Sequence, residues 1–301
     1  MKISIENVNL SSTSGPNSFA QKLVKYANKQ EHIIGSHPSP DAYLCFIESH
    51  RRSFTKPMFQ RLDGIYFNNT QNYTQQNKNI KRTYKMADGV VFQSNFNKEL
   101  TFKYFGPHDN YTIIHNGADT EQIAKIDPLP FHRYENLWSC ASSWRPHKRL
   151  HKNIHYFLAN AGPDDGLMVA GDVPPRDRIR NDRVHYVGHL KQNQLYALYK
   201  KSKYFIHLAW LDHCPNVVID ARACGAQIIC SSAGGTKEIA GEDAIVIAEP
   251  EWDMNPVDLY NPPNINFNKT FDKEYPICYN IDMNIVAQKY LDFIGGNATS
   301  S

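Results

Sequence analysis

The stretch Asp212-His-Cys-Pro-Asn-Val-Val-Ile-Asp220, running on through Ala-Arg-Ala-Cys-Gly225, constrains this chain more than any other. It begins where an apolar run, Tyr204-Phe-Ile-His-Leu-Ala-Trp210, stops. A short run of aromatic and aliphatic residues predicts a buried strand. Pro215-Asn216 predicts a helix start, Gly225 its end, and Gln227-Ile-Ile-Cys230 the next strand. Strand, loop, helix and strand in that order make a right-handed crossover of a parallel sheet. The polar residues then stand at the carboxyl end of a strand, where open α/β sheets bind ligands.

The loop has a readable geometry. With Asn216 as N-cap, the amides of Val217 and Val218 lie in the first turn without intrahelical partners. Open amides and the helix dipole together suit a phosphate. Helical side chains lean toward the N-terminus, so Asp220, one turn in, reaches back toward a ligand there. A carboxylate repels phosphate, which makes hydroxyls its sensible partner. Asp212, before the helix, faces a second hydroxyl-bearing group. A phosphate between two hydroxyl-rich moieties describes a nucleotide sugar.

Two acidic residues separated by seven, then Ala-x-Ala-Cys-Gly, then Ser232-Ala-Gly-Gly-Thr-Lys-Glu238, resemble glycosyltransferase family 4. The usual family motif is Glu-x7-Glu; here both positions are Asp, each one methylene shorter. The resemblance implies a retaining, nucleotide-sugar-dependent enzyme with an α/β GT-B fold, two Rossmann-like domains facing a central cleft. It covers most of residues 1–248 and is strongest over 204–240. The implied organisation is an acceptor domain at 1–124, a linker at 125–133 containing Pro128 and Pro130, a donor domain at 134–280 and a closing helix at 281–301. In this family such a helix often packs back on the N-terminal domain.

The same resemblance assigns roles to single positions. The turn Ser142-Ser-Trp-Arg-Pro-His-Lys-Arg149 usually carries an arginine and, five residues later, a lysine that hold the donor diphosphate. Lys148 fits the lysine; Ser143 stands at the arginine position, with Arg145 two residues on as its substitute. Ammonium and guanidinium are both good phosphate ligands. Gly188-His189 falls where the family meets the base. Asn216 and Val217 meet the diphosphate, Asp220 the ribose, Asp212 the donor sugar, and Glu238 supports the donor site. Gly15, in the small-residue loop after a first strand, lies near the donor pyrophosphate. In Gln60-Arg-Leu-Asp-Gly64, Asp63 is the candidate that orients the acceptor hydroxyl, with Arg61 offered to a phosphate. The catalytic pair is therefore Asp63 and Asp212.

Other features weigh against rival chemistry. His147, His151 and His155 recur every four residues, but lysines accompany them and Leu150, Ile154, Phe157 and Leu158 form the buried stripe; the face reads as polar, and no metal site is assigned. The net charge of +3 is too mild for nucleic acid. No apolar run is long enough to span a bilayer. The first residues read as a strand, and the six cysteines form no Cys-x-x-Cys pair, so the chain reads as cytoplasmic with reduced thiols. Residues 249–276, rich in Pro, Asn and Asp, read as an irregular wrap.

The expectation is thus transfer of a sugar from a UDP- or GDP-type donor to a glycan or glycolipid hydroxyl, with no cofactor. Peripheral membrane contact goes with a glycolipid acceptor. A nucleotide-sugar epimerase of the same fold and a non-catalytic nucleotide-sugar binder stay open, the second because of Ser143 and the paired Asp.

Overall fold

The computed structural model describes residues 1–12, 14–30, 32–271 and 280–298. The chain forms two units. One comprises 1–118, 254–257 and 280–301; the other comprises 119–253 and 258–279. The first boundary falls at Ala118, ahead of the sequence-based limit at 124, because the short helix Thr120–Ala124, capped by Asp119, belongs to the second unit. Met254–Val257 returns to the first unit, where Asn68 bridges Val257 and Tyr104 Oη donates to the Met254 carbonyl at 3.2 Å. Residues 272–276 of the expected wrap, and Cys278 among the cysteines, lie outside the described residues.

The first unit is a parallel sheet of β1 (Lys2–Glu6), β2 (Ile33–Gly35), β3 (Ala42–Phe46), β4 (Met58–Leu62), β5 (Gly89–Phe92) and β6 (Tyr111–Ile113), in the order β2-β1-β3-β4-β5-β6. β3, β4 and β5 are buried at every residue, which explains their continuous apolar runs. The helix Gly15–Asn28 buries Phe19, Ala20, Leu23, Tyr26 and Ala27, a stripe at helical spacing. It packs with the last helix, Met283–Ala298, whose Val286, Ala287, Tyr290 and Ile294 join the same core. The helix Asn95–Phe105 starts where the Ser94 hydroxyl accepts from Asn97 N at 3.1 Å, a side-chain N-cap.

The second unit holds β7 (Leu137–Ala141), β8 (Gly166–Ala170), β9 (Val184–Gly188), β10 (Ser202–His207), β11 (Gln227–Ser231) and β12 (Ile245–Ile247). They are all parallel, in the order β12-β11-β10-β7-β8-β9. Counted within the unit, this is the doubly wound order 3-2-1-4-5-6. The strand order therefore reverses between β7 and β10, and the crevice at their carboxyl ends is the place for a ligand. β10 ends at His207, three residues short of the apolar run, because the backbone turns out of the sheet to reach Leu211 at φ 56°. Among the described residues no helix is long and apolar enough to cross a membrane.

Candidate active site

Two segments leave the sheet at the reversal point. After β7 the chain makes a 3-10 turn, Pro146–Lys148, then enters the helix Leu150–Asn160. After β10 it forms the loop to Asp212 and enters the helix Asn216–Ala223. Trp210 N donates to the His147 carbonyl at 2.8 Å and joins the two segments.

This places Lys148 on Asp212. The ammonium forms an ion pair with Asp212 Oδ2, and both side chains are largely buried, at 18% and 15% exposure. His207 Nε2 meets the same oxygen at 2.9 Å, and His213 N donates to Oδ1 at 3.1 Å. Burial alone would raise the Asp212 carboxyl, but the Lys148 ammonium and His207 outweigh it and hold it well below the usual carboxylate range. Asp212 is therefore ionised, and His207 must present Nε2–H to it. Burial lowers the His207 imidazole against the opposing pull of Asp212, and brings His147 and His213 down to about 4.

The Gly234-Gly235 pair has its reason here. Gly235 N donates to the Asp212 carbonyl at 2.7 Å. A Cβ on Gly234 would stand 2.7 Å from Asp212 O and 2.9 Å from Asp212 N, and the residue sits at φ +87°. Only glycine lets the two backbones approach so closely. Glu238 ends the 3-10 turn Thr236–Glu238 that follows, half-buried beside this clamp.

At the helix N-terminus the structure corrects the expected cap. Pro215 is the N-cap, with no side-chain cap bond, and Asn216 is the first helical residue. Proline in that place sets φ without losing a needed donor. The first helical bonds run from Val218 N and Ile219 N to the Pro215 carbonyl, at 3.1 and 3.4 Å. The leading amides are thus those of Asn216 and Val217, one residue earlier than Val217 and Val218. Asp220 is buried at 6% exposure, and Gln192 Nε2 donates to its Oδ2 at 3.1 Å.

A pocket of about 290 Å³ adjoins the same strand ends, lined by Ser142, Ser143, Trp144, Arg145, Gly171, Asp172 and His189. Arg145 and His189 are both exposed in this lining. Gly188, at φ +68°, turns the chain into His189, while Gly188 O accepts from Gly171 N at 2.8 Å. Trp144 Nε1 donates to the Ala170 carbonyl at 2.9 Å and fixes the wall.

The histidine periodicity does not survive as one face. His147 lies in the 3-10 turn before the helix that carries His151 and His155, and His151 Nε2 meets the Asp177 carbonyl at 2.7 Å.

In the first unit, Asp63 and Arg61 form part of a closed polar ring. Arg61 Nη1 pairs with Asp63 Oδ1, Arg61 Nη2 donates to Asn116 Oδ1 at 2.7 Å, Asn116 Nδ2 donates to Gln93 Oε1 at 3.1 Å, and Gln93 Nε2 donates back to Asp63 Oδ1. Arg61 is 1% exposed, lies 4.1 Å from the Phe19 ring centre and donates to Tyr290 Oη at 3.1 Å. The offer of Arg61 to a phosphate is corrected: its guanidinium is enclosed and engaged, so its work is to hold Asp63. Asp63 Oδ2 is buried without a hydrogen-bond partner. Gly15 is the first residue of its helix, after Ser14 as N-cap.

The structure thus brings together Lys148, Asp212, Asn216 and Val217, with Glu238 beside them; Arg145 and His189 line the adjoining pocket, and Gly188 is bonded to Gly171 in its wall. His207, Gln192, Arg149 and Glu249 were missed in the sequence. His207 sits inside an apolar run, and a polar residue interrupting a buried strand was the available signal. Arg149 and Glu249 lie 100 residues apart and left no signal at all.

Comparison with known proteins agrees with this fold. Residues 142–255 match the family model described as "Glycosyl transferases group 1", a span that contains Lys148, Asp212, Asp220 and Glu238. One subunit of the human phosphatidylinositol N-acetylglucosaminyltransferase is 21% identical over 179 residues, 56% of this chain. The matched part is 34% of that relative, so the chain spans about a third of its length. Among solved structures, a glycosyltransferase from Rickettsia africae ESF-5 superposes with a TM-score of 0.66 at 13% identity, covering 100% of this chain and 99% of that one. Anabaena HepE in complex with UDP-glucose gives 0.61 at 12% identity, covering 100% and 99%. These likenesses show the fold, GT-B with two Rossmann-like units. The resemblance to glycosyltransferases carried by the sequence motifs is matched over the segment that bears them.

Proposed function

We propose that this chain is a retaining glycosyltransferase that takes a sugar from a nucleotide-diphosphate donor to a hydroxyl of a glycan or glycolipid. The observation that carries the reading is the Lys148–Asp212 pair, set beside the leading amides of Asn216 and Val217 where the sheet order reverses. A cation and a helix N-terminus converging on one point suit a diphosphate. The match over residues 142–255 and the UDP-glucose bound to HepE support the same ligand class.

In this reading Lys148, with the amides of Asn216 and Val217, holds the diphosphate, and Arg145 serves in place of the arginine absent at Ser143. Asp220 meets the ribose, and Gly188 and His189 border the base. Asp212, already oriented by His207 and the His213 amide, takes the donor-sugar hydroxyls, with Glu238 behind it. Asp63 orients the acceptor hydroxyl. The acceptor attacks from the face the phosphate leaves, and the departing phosphate oxygen takes its proton. The lysine and the helix amides stabilise that leaving group, so the reaction proceeds without a metal. The protein works in the cytoplasm, with peripheral membrane contact when the acceptor is a lipid.

Incubation with UDP- and GDP-sugars tests the reading. Slow release of nucleotide diphosphate that persists in EDTA is expected. An altered sugar on an intact nucleotide identifies an epimerase, and saturable binding without turnover identifies a binder; either result overturns the transferase. Loss in EDTA restored by a divalent cation overturns metal independence.

A further inference from the structure

Beyond the last paired residues of β7 and β10, side chains fasten the two loops that carry Lys148 and Asp212. Leu208 N donates to Asn153 Oδ1 at 3.0 Å, and the Leu208 carbonyl accepts from Arg149 Nη1 at 3.3 Å. Asn153, 1% exposed, donates through Nδ2 to the carbonyls of Lys148 at 3.0 Å and Arg149 at 2.8 Å.

The backbone on both sides of the ion pair is unusual. Arg149, directly after Lys148, has φ 53° and ψ 49°; Leu211, directly before Asp212, has φ 56°. Side chains other than glycine rarely take this left-handed conformation. It persists only where the surroundings over-determine it. For Arg149 those surroundings are explicit. Its guanidinium meets Glu249 through two parallel bonds of 2.7 Å, with side-chain exposures of 1% and 2%, and donates to the Pro263 carbonyl at 2.7 Å. The Ser231 hydroxyl donates to Glu249 Oε1, and Glu249 N donates to Ser232 Oγ at 2.8 Å. Ser231 and Ser232 lead into Gly234 and Gly235, which hold the Asp212 backbone. The network therefore reaches the ion pair from both ends.

We propose that the buried Arg149–Glu249 pair is a positioning device for the donor diphosphate: it holds the left-handed turn that presents Lys148 beside Asp212. This rests on the donor reading above. A glycine would take the same backbone unaided. An arginine takes it because its side chain is anchored at the far end.

The test compares wild type with Glu249→Gln and with Arg149→Gly/Glu249→Gln. UDP and GDP are titrated by calorimetry. Separately, acylation of the Lys148 amine is followed by mass spectrometry with no nucleotide present. In Glu249→Gln the guanidinium loses its carboxylate and the turn relaxes. Nucleotide affinity then falls at least about tenfold, the size of one lost charge-assisted contact, and Lys148 is acylated faster. In the double variant glycine holds the turn and no buried charge stands alone, so affinity returns to within about threefold of wild type and Lys148 is protected again. If both variants fold and bind as wild type does, with Lys148 equally protected, the pair only stabilises the fold and the proposal is overturned. A folded double variant that fails to recover overturns it as well, and decides alone should Glu249→Gln not fold. A wild type that binds neither nucleotide overturns the donor reading, while the labelling still reports whether the pair holds Lys148.

Discussion

His207 Nε2 lies 2.9 Å from Asp212 Oδ2, the oxygen that also takes the Lys148 ammonium. Two donors share one oxygen, and the His213 amide holds the other at 3.1 Å. The carboxylate is thus oriented before any ligand arrives, and a diphosphate must compete with Asp212 for the lysine. When the lysine turns to a phosphate, His207 and the His213 amide still hold Asp212 in place.

Lys148→Ala removes the cation of the proposed diphosphate site. A charge-assisted hydrogen bond is worth about 1.5–3 kcal/mol, so nucleotide diphosphate affinity should fall roughly tenfold or more. Calorimetry on the folded variant measures it. An unchanged affinity would assign the lysine to Asp212 alone.

Acid should weaken the fold at this site. His147 and His213 are held by burial at about 4, below the unfolded value of 6.5, and burial lowers His207 as well. Between pH 6.5 and 4 the unfolded chain binds protons that the folded chain refuses. Stability is therefore full above pH 6.5 and declines as pH falls through that window, by about 1.4 kcal/mol per pH unit for each such histidine. Asp212, whose folded value is depressed, adds a further loss below 3.8. Thermal unfolding against pH, for wild type and His213→Gln, checks the sign. A His213→Gln curve as steep as wild type would remove His213 from the account.

Much of this was legible in the sequence because the crossover unit is local. The apolar run, Pro215, Gly225 and the next strand lie within about thirty residues, and their periodicities fix the elements without knowledge of the rest. Lys148 and Asp212 were readable from motif spacing, but their meeting depends on β7 and β10 being neighbours, a fact of sheet order. Asn216 was misread as the cap because Asn is a strong N-cap and Pro is not, whereas the helix starts one residue earlier with Pro215 in that place. Arg61 was misread because a charged residue in a strand looks the same whether it faces a ligand or a buried ring. The ring closes through Gln93 and Asn116, on two other strand ends.

Gly234→Ala tests the backbone clamp on Asp212. The new Cβ meets Asp212 O and N below 3 Å at a positive φ, so strain and collision act together. Gly225→Ala is the control, at φ +91° with nothing within 4 Å of the added Cβ. The control should cost about 1 kcal/mol from conformation alone, and Gly234→Ala about 2–4 kcal/mol. Transfer should fall with the second and persist with the first. Equal thermal shifts for the two would mean that the loop yields freely to the glycine pair.

The two aspartates separate the two ends of the proposed donor. Asp220 stands on the helix, buried, with Oδ2 already accepting from Gln192. Asp220→Asn keeps one acceptor oxygen, so affinity for nucleotide diphosphate and nucleotide sugar should fall alike and moderately, by roughly tenfold at most. Asp212 differs because its charge is what restrains Lys148. Asp212→Asn releases the ammonium, so nucleotide diphosphate affinity should be kept or improved while turnover of the sugar donor falls by at least about tenfold, the loss of one charge-assisted contact in the transition state. The opposed directions are the diagnostic, since general damage to the loop would lower both. Calorimetry with nucleotide diphosphate beside transfer assays measures them. If Asp212→Asn abolishes diphosphate binding in a folded protein while the remaining chemistry runs normally, Asp212 belongs to the phosphate and the two roles are reversed.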